Sequence, residues 1–233
     1  MTSVPRPTAI CVVLTAALAF VLLLMAGSDG QVTDGIGLMV AGAVAFGVGL
    51  RTVRASRYAA LSVGFVIVFW TLLHCGPAAA AVVAALNGAA SVICPKPDRP
   101  LRSLVGLYAV ASLAVTARVA GYVFTIAGGQ PGATDLLGMA LPAAAAAATY
   151  HLVNCALVAL VAGLTSRTSV WRLFREHFAL SGLTYCAGAG LALLVHLTWP
   201  VAGAWPLLAA APVLHALELT LRRIRPVAPA ERA

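Results

Sequence analysis

The stretch LLGMALPAAAAAATYHLVNCALVALVAGL, residues 136–164, contains no Asp, Glu, Lys or Arg, and its reading decides the fold. A helix needs about 20 apolar residues, rising about 1.5 Å each, to cross roughly 30 Å of hydrocarbon. A soluble domain must give its helices a polar face, whereas lipid asks for none. Apolar runs of the same kind lie upstream at 8–27, 36–50, 58–73, 78–94 and 101–127, and downstream at 178–198 and 201–221. Turn chemistry separates them: Gly76-Pro77, Pro95-Lys96-Pro97, Gly128-Gly129-Gln130-Pro131-Gly132 and Trp199-Pro200. The chain therefore reads as an all-α, polytopic integral membrane bundle of about eight transmembrane helices. It forms one domain over residues 1–225, followed by a short cytoplasmic tail at 226–233. The first run lacks a clear small-residue cleavage site and reads as a retained helix.

Composition agrees. Hydrophobic residues make up 61% of the chain and charged residues 9%, against roughly 25% charged in soluble domains. The net charge of +8 is scattered between apolar runs rather than gathered on one face, which argues against a nucleic-acid partner. Cys11, Cys75, Cys94, Cys155 and Cys186 form no CxxC pair and read as small buried hydrophobes. No zinc pair, phosphate loop or nucleophile elbow is present, so no metal or cofactor is implied and no catalytic residue is assigned.

Orientation follows from the basic residues. With the N-terminus inside, all Lys and Arg except Arg118 fall in the N-terminal segment, the inner loops or the tail: Arg6; Arg51, Arg54, Arg57; Lys96, Arg99, Arg102; Arg167, Arg172, Arg175; and Arg222, Arg223, Arg225, Arg232. The outer loops carry Asp29, Asp34 and Asp135 instead. The positive-inside rule then puts both termini in the cytoplasm of a multi-pass cell-membrane protein. Segment 165–177 mixes Arg167, Arg172 and Arg175 with Trp171 and Phe174, and is expected as a short helix lying along the inner membrane surface.

Ionisable groups inside membrane helices cost about 2.5 to 3.5 kcal/mol each and are the natural site candidates. Arg118 shares a helix face with Tyr122 and Thr125, and with Asp135, His74 and His196 it is a candidate outward-facing cluster. Tyr185 lies on the His196 face. His151 and Asn154 are one turn apart and deeper, beside Tyr150, with Asn87 as the expected partner of Asn154. His215 and Glu218 are secondary candidates near the inner end of the last run, where Glu218 is placed to pair with Arg222. Gly182, Cys186 and Gly190 set small residues four apart, a face for close helix packing.

The run Tyr150-His151-Leu152-Val153-Asn154, the apolar stretch to Leu164, and Thr165-Ser166-Arg167-Thr168-Ser169-Val170-Trp171-Arg172 together resemble the multi-helix membrane sensor modules found ahead of bacterial GGDEF and HD-GYP output domains. Pro212 followed by an Arg-rich exit is also similar. The Phe-Asn pair of that group is replaced here by Ser103-Leu104, and no output domain follows Ala233. The resemblance implies a sensory or ligand-binding helical module acting through a separate cytoplasmic partner docked on the basic inner face, with a small anionic or apolar ligand. Two alternatives stand beside it. A small transporter, or a transporter's substrate-binding subunit, calls for broken helices at Pro142 or Pro212. An embedded enzyme acting on a lipid or isoprenoid calls for His151, Glu218 or Arg118 in a closed apolar pocket.

The topology is tested by single cysteines labelled from outside intact cells. Labelling is expected at positions 31, 76 and 132 and not at 54, 99 or 169, and labelling at 54 overturns the orientation.

Overall fold

The structure is a computed structural model that describes residues 5–28, 41–45, 63–93, 102–203 and 205–206. Among these the regular structure is helical, with no strand. The principal helices are α1 (Arg6–Ser28), α2 (Val63–Cys75), α3 (Pro77–Ile93), α4 (Arg102–Ile126), α5 (Leu136–Ser166) and α6 (Val170–Ala202). Among the described residues, three segments are long and apolar enough to cross a membrane: Gly106–Ile126, Leu136–Ser166 and Tyr185–Ala202. The last expected run, 201–221, lies almost entirely outside the described residues, and of the second only 41–45 is described, as helix.

At the centre is α2. Phe65 to Leu73 are all buried, with no polar face interrupting them. A helix that is apolar all round has no face for water. Here α3 and α6 pack on it, and its core extends to Ala143, Ala146 and Tyr150 of α5. The apolar residues of α1 behave differently. Ile10, Val13, Leu14, Leu18, Phe20, Val21 and Leu24 are exposed, as a lipid-facing surface allows.

Close approaches set the relative directions. A side chain on Gly88 would meet the Val110 backbone at 2.7 Å, and one on Gly121 would meet Pro77 at 2.5 Å. These two contacts run α3 and α4 antiparallel. The Tyr108 hydroxyl donates to the Leu157 carbonyl at 2.7 Å across α4 and α5, and Gly163 packs on Val170 across α5 and α6, so each of these pairs is antiparallel too. Phe65 lies on Gly188 while His74 faces His196, which makes α2 and α6 parallel. Arg102, Arg167, Arg172 and Arg175 consequently share one end of the bundle, with Glu176 beside them. The α2–α3 turn, the α4–α5 loop and Asp135 share the other.

Several expectations need correction. Segment 165–177 is not a separate surface helix. Thr165 and Ser166 close α5, Arg167 turns the chain in a left-handed conformation (φ 55°), and Ser169 caps α6 by accepting from the Arg172 N–H at 3.4 Å. Nothing after that cap breaks the helix, so Val170 to Ala202 is continuous over 33 residues. At about 50 Å it exceeds the ~30 Å hydrocarbon thickness, leaving its Trp171 end as overhang unless the helix tilts strongly. Trp199-Pro200 does not turn the chain either. Pro200 stays within α6, forfeiting one backbone bond, and Gly203 ends the helix with its N–H on the Trp199 carbonyl at 2.8 Å. Pro142 likewise sits inside an unbroken α5. Cys75 and Cys155 are buried, but Cys186 is exposed on α6, and a side chain on Gly190 would meet nothing. Gly76 is buried with φ +97° and Gly132 has φ +82°, so a cysteine at either position is strained. Exposed Thr134 is the better labelling position in this loop.

The α3–α4 seam makes a clean test. Gly88→Ala forces a methyl against backbone and is expected to cost about 1 to 3 kcal/mol, whereas Gly190→Ala is expected to be neutral or slightly stabilising. Thermal unfolding of the detergent-solubilised variants distinguishes them, and equal melting temperatures contradict the seam.

Candidate functional site

The end of the bundle opposite the arginines holds two cavities and an aromatic cluster. The first cavity, about 280 Å³, is walled by Cys75, Gly76, Pro77 and Ala78 of the α2–α3 turn and by Arg118, Tyr122, Thr125 and Ile126 of α4. Its construction follows from sequence. Gly76, in a left-handed conformation only glycine adopts freely, ends α2 and lets Pro77 begin α3 at once. Gly121 then admits Pro77 against α4. Residues 118, 122 and 125 recur at helical spacing and so face the same turn. Arg118 is 2% exposed. Its Nη2 donates to the Tyr122 hydroxyl at 3.4 Å, and its guanidinium carbon lies 4.8 Å from the centre of the Tyr122 ring. Tyr122 is 40% exposed and Ile126 85%, so these two form the mouth.

Asp135 serves a different purpose. Its two carboxylate oxygens accept from the Leu137 and Gly138 N–H groups at 3.2 and 2.8 Å, capping α5. It lines a second cavity of about 260 Å³ with Gly128, Gln130, Ala133, Gly138 and Met139. His196 donates from Nε2 to the Ala133 carbonyl at 2.7 Å, and its buried Nδ1 has no hydrogen-bond partner among the described residues. His74 stacks on Trp70 with ring centres 5.0 Å apart and meets His196 and Trp199 at 5.7 and 5.5 Å. Arg118, Asp135 and the histidine pair are thus neighbours at one end, and Asp135 has the further task of capping α5.

A second constellation lies deeper. The Asn154 amide donates to the Tyr185 hydroxyl at 2.8 Å, binding α5 to α6. This corrects the expectation that Asn87 is its partner. Asn87 instead covers Gly64, where any side chain would collide with its amide. The Tyr185 ring meets His151 at 4.8 Å and Phe65 at 4.7 Å, and His151 Nδ1 lies 3.5 Å from the Cys155 sulfur. Asn154, His151 and Tyr185 therefore do meet. Phe65, Cys155, Trp70 and Trp199 complete the two clusters and were not among the site candidates read from the sequence. Cys155 lies one turn from His151, a signal that was available, whereas Phe65 and Trp70 sit in a run too apolar to show which face matters. His215, Glu218 and Pro212 lie outside the described residues. No family model, curated protein or solved structure matches the chain.

The Asn154–Tyr185 bond is expected to contribute about 0.6 kcal/mol, and at most about 1.7, as interhelical hydrogen bonds in membranes do. A double-mutant cycle of Asn154→Leu and Tyr185→Phe, read by unfolding, measures it, and a coupling of zero removes the bond from the account.

Proposed function

We propose that this chain is a multi-pass cell-membrane protein of about eight helices with both termini inside, and that it works as a sensory or ligand-binding module through a separate partner. The observation that carries the reading is the cavity around Arg118. A cation 2% exposed, on a helix apolar enough to cross a membrane, borders a space open at the bundle's end. Such a charge burdens insertion by a few kcal/mol, and a ligand site is the simplest reason to keep it. The grouping of Arg102, Arg167, Arg172 and Arg175 at the opposite end supports the inside-out assignment by the positive-inside rule. It also supplies the basic face on which a cytoplasmic partner would dock.

The alternatives have less behind them. Transport by broken helices gains nothing from Pro142, because α5 passes through it intact. Embedded catalysis calls for a closed apolar pocket, whereas the Arg118 cavity opens at the bundle's end and His151 lines neither of these two cavities.

Arg118→Leu is expected to reach the membrane at wild-type abundance while reproducing the transcript changes caused by deleting the gene. Arg118→Lys is expected to be impaired as well, since an ammonium does not reproduce the planar guanidinium. Both are read by immunoblot and whole-transcript sequencing. Wild-type behaviour in both variants ends this reading.

A further inference from the structure

We infer that the Arg118 cavity is an oxyanion site, taking a phosphate or carboxylate group at the outer end of the bundle. This rests on the proposal that the cavity holds a ligand, and adds its chemical class. Charge is the first ground. Arg118 brings a guanidinium to the wall, and none of the eight lining residues is Asp or Glu. Both oxygens of Asp135, the described carboxylate at this end, are engaged in capping α5. A cavity bordered by a fixed cation and no lining acid disfavours cationic ligands and favours anionic ones.

Donor geometry is the second ground. The Tyr122 hydroxyl accepts from Arg118, which leaves its own proton free to be donated elsewhere. Arg118 and Tyr122 thus form a paired donor set on the cavity wall, suited to an acceptor-only oxyanion. Charge-assisted bonds of this type are roughly twice as strong as neutral ones. The opposite wall is the first turn of α3, and its backbone dipole adds positive potential to that of Arg118. Size is the third ground. About 280 Å³ admits a phosphate or a small carboxylate. The exposed Ile126 at the mouth also allows the group to belong to a lipid whose chains lie alongside α4. A free oxyanion and a lipid headgroup share this chemistry.

The experiment is a melting-temperature titration of the purified full-length protein at constant ionic strength. One arm adds inorganic phosphate or acetate in a neutral detergent. The other compares bilayer discs of phosphatidylcholine with discs containing phosphatidylglycerol. A rise of about 3 °C with free anion, absent in Arg118→Gln, supports a soluble ligand. A rise only with phosphatidylglycerol, also lost in Arg118→Gln, supports a headgroup. Thr125→Glu covers the case in which Arg118→Gln does not fold. Thr125 is an exposed cavity-lining residue, and a carboxylate there is expected to occupy the guanidinium and abolish either rise. No rise in either arm, or a rise that survives Arg118→Gln or Thr125→Glu, overturns the inference. If the anions fail while Arg118→Leu still mimics the gene deletion, the sensory reading stands and the oxyanion assignment falls.

Discussion

The enclosure of α2 is the constraint on which the rest of the structure depends. From Phe65 to Leu73 this helix offers no polar side to water and no free side to lipid. Its neighbours surround it, and where they do so they shape the end of the bundle opposite the arginines. The Gly132 N–H donates to the Leu73 carbonyl at 2.8 Å, pinning the α4–α5 loop to the last turn of α2. The same loop gives the Ala133 carbonyl to His196, drawing in α6. One residue beyond α2, Gly76 turns the chain into α3 and so builds the wall opposite Arg118. Core, loop and cavity are consequences of one buried helix end.

Lipid tails are as apolar as leucine side chains, so burial of apolar surface does little to hold such helices together. Close contact and a few polar bonds must act instead. Gly88 and Gly121 bring α3 and α4 to backbone distance, and Gly188 receives the Phe65 ring between α2 and α6. Tyr108 to Leu157 and Asn154 to Tyr185 then fasten α4 to α5 and α5 to α6. Each polar bond joins a neighbouring pair, and together they order the bundle.

The described helices were legible in the sequence because apolar runs mark their extent and turn residues fix their ends. Run 101–127 became Arg102–Ile126, and run 78–94 became Pro77–Ile93. The start of α6 was less legible, because Arg and Trp are compatible both with a surface helix and with the overhang of a long one. The Ser169 cap decided between them. Partners across helices were least legible. Asn154 has two polar candidates at comparable depth, Asn87 and Tyr185, and spacing along one helix cannot rank residues on others. The Arg118–Tyr122–Thr125 face was readable for the opposite reason, since all three lie on one helix and depend only on its period.

Arg118 also has an ordinary explanation, in which its long stem carries the charge outward to the headgroups. That account requires an exposed guanidinium, since a snorkelling side chain gains its stability from water and lipid phosphates. Here the residue is 2% exposed and sits beneath the Tyr122 ring, against the α2–α3 turn. A buried cation of this kind is stabilised by groups within the bundle rather than by headgroups, and the Tyr122 hydroxyl at 3.4 Å is one of them. An anion at the proposed site enters past Tyr122, Thr125 and Ile126, the exposed residues of its lining.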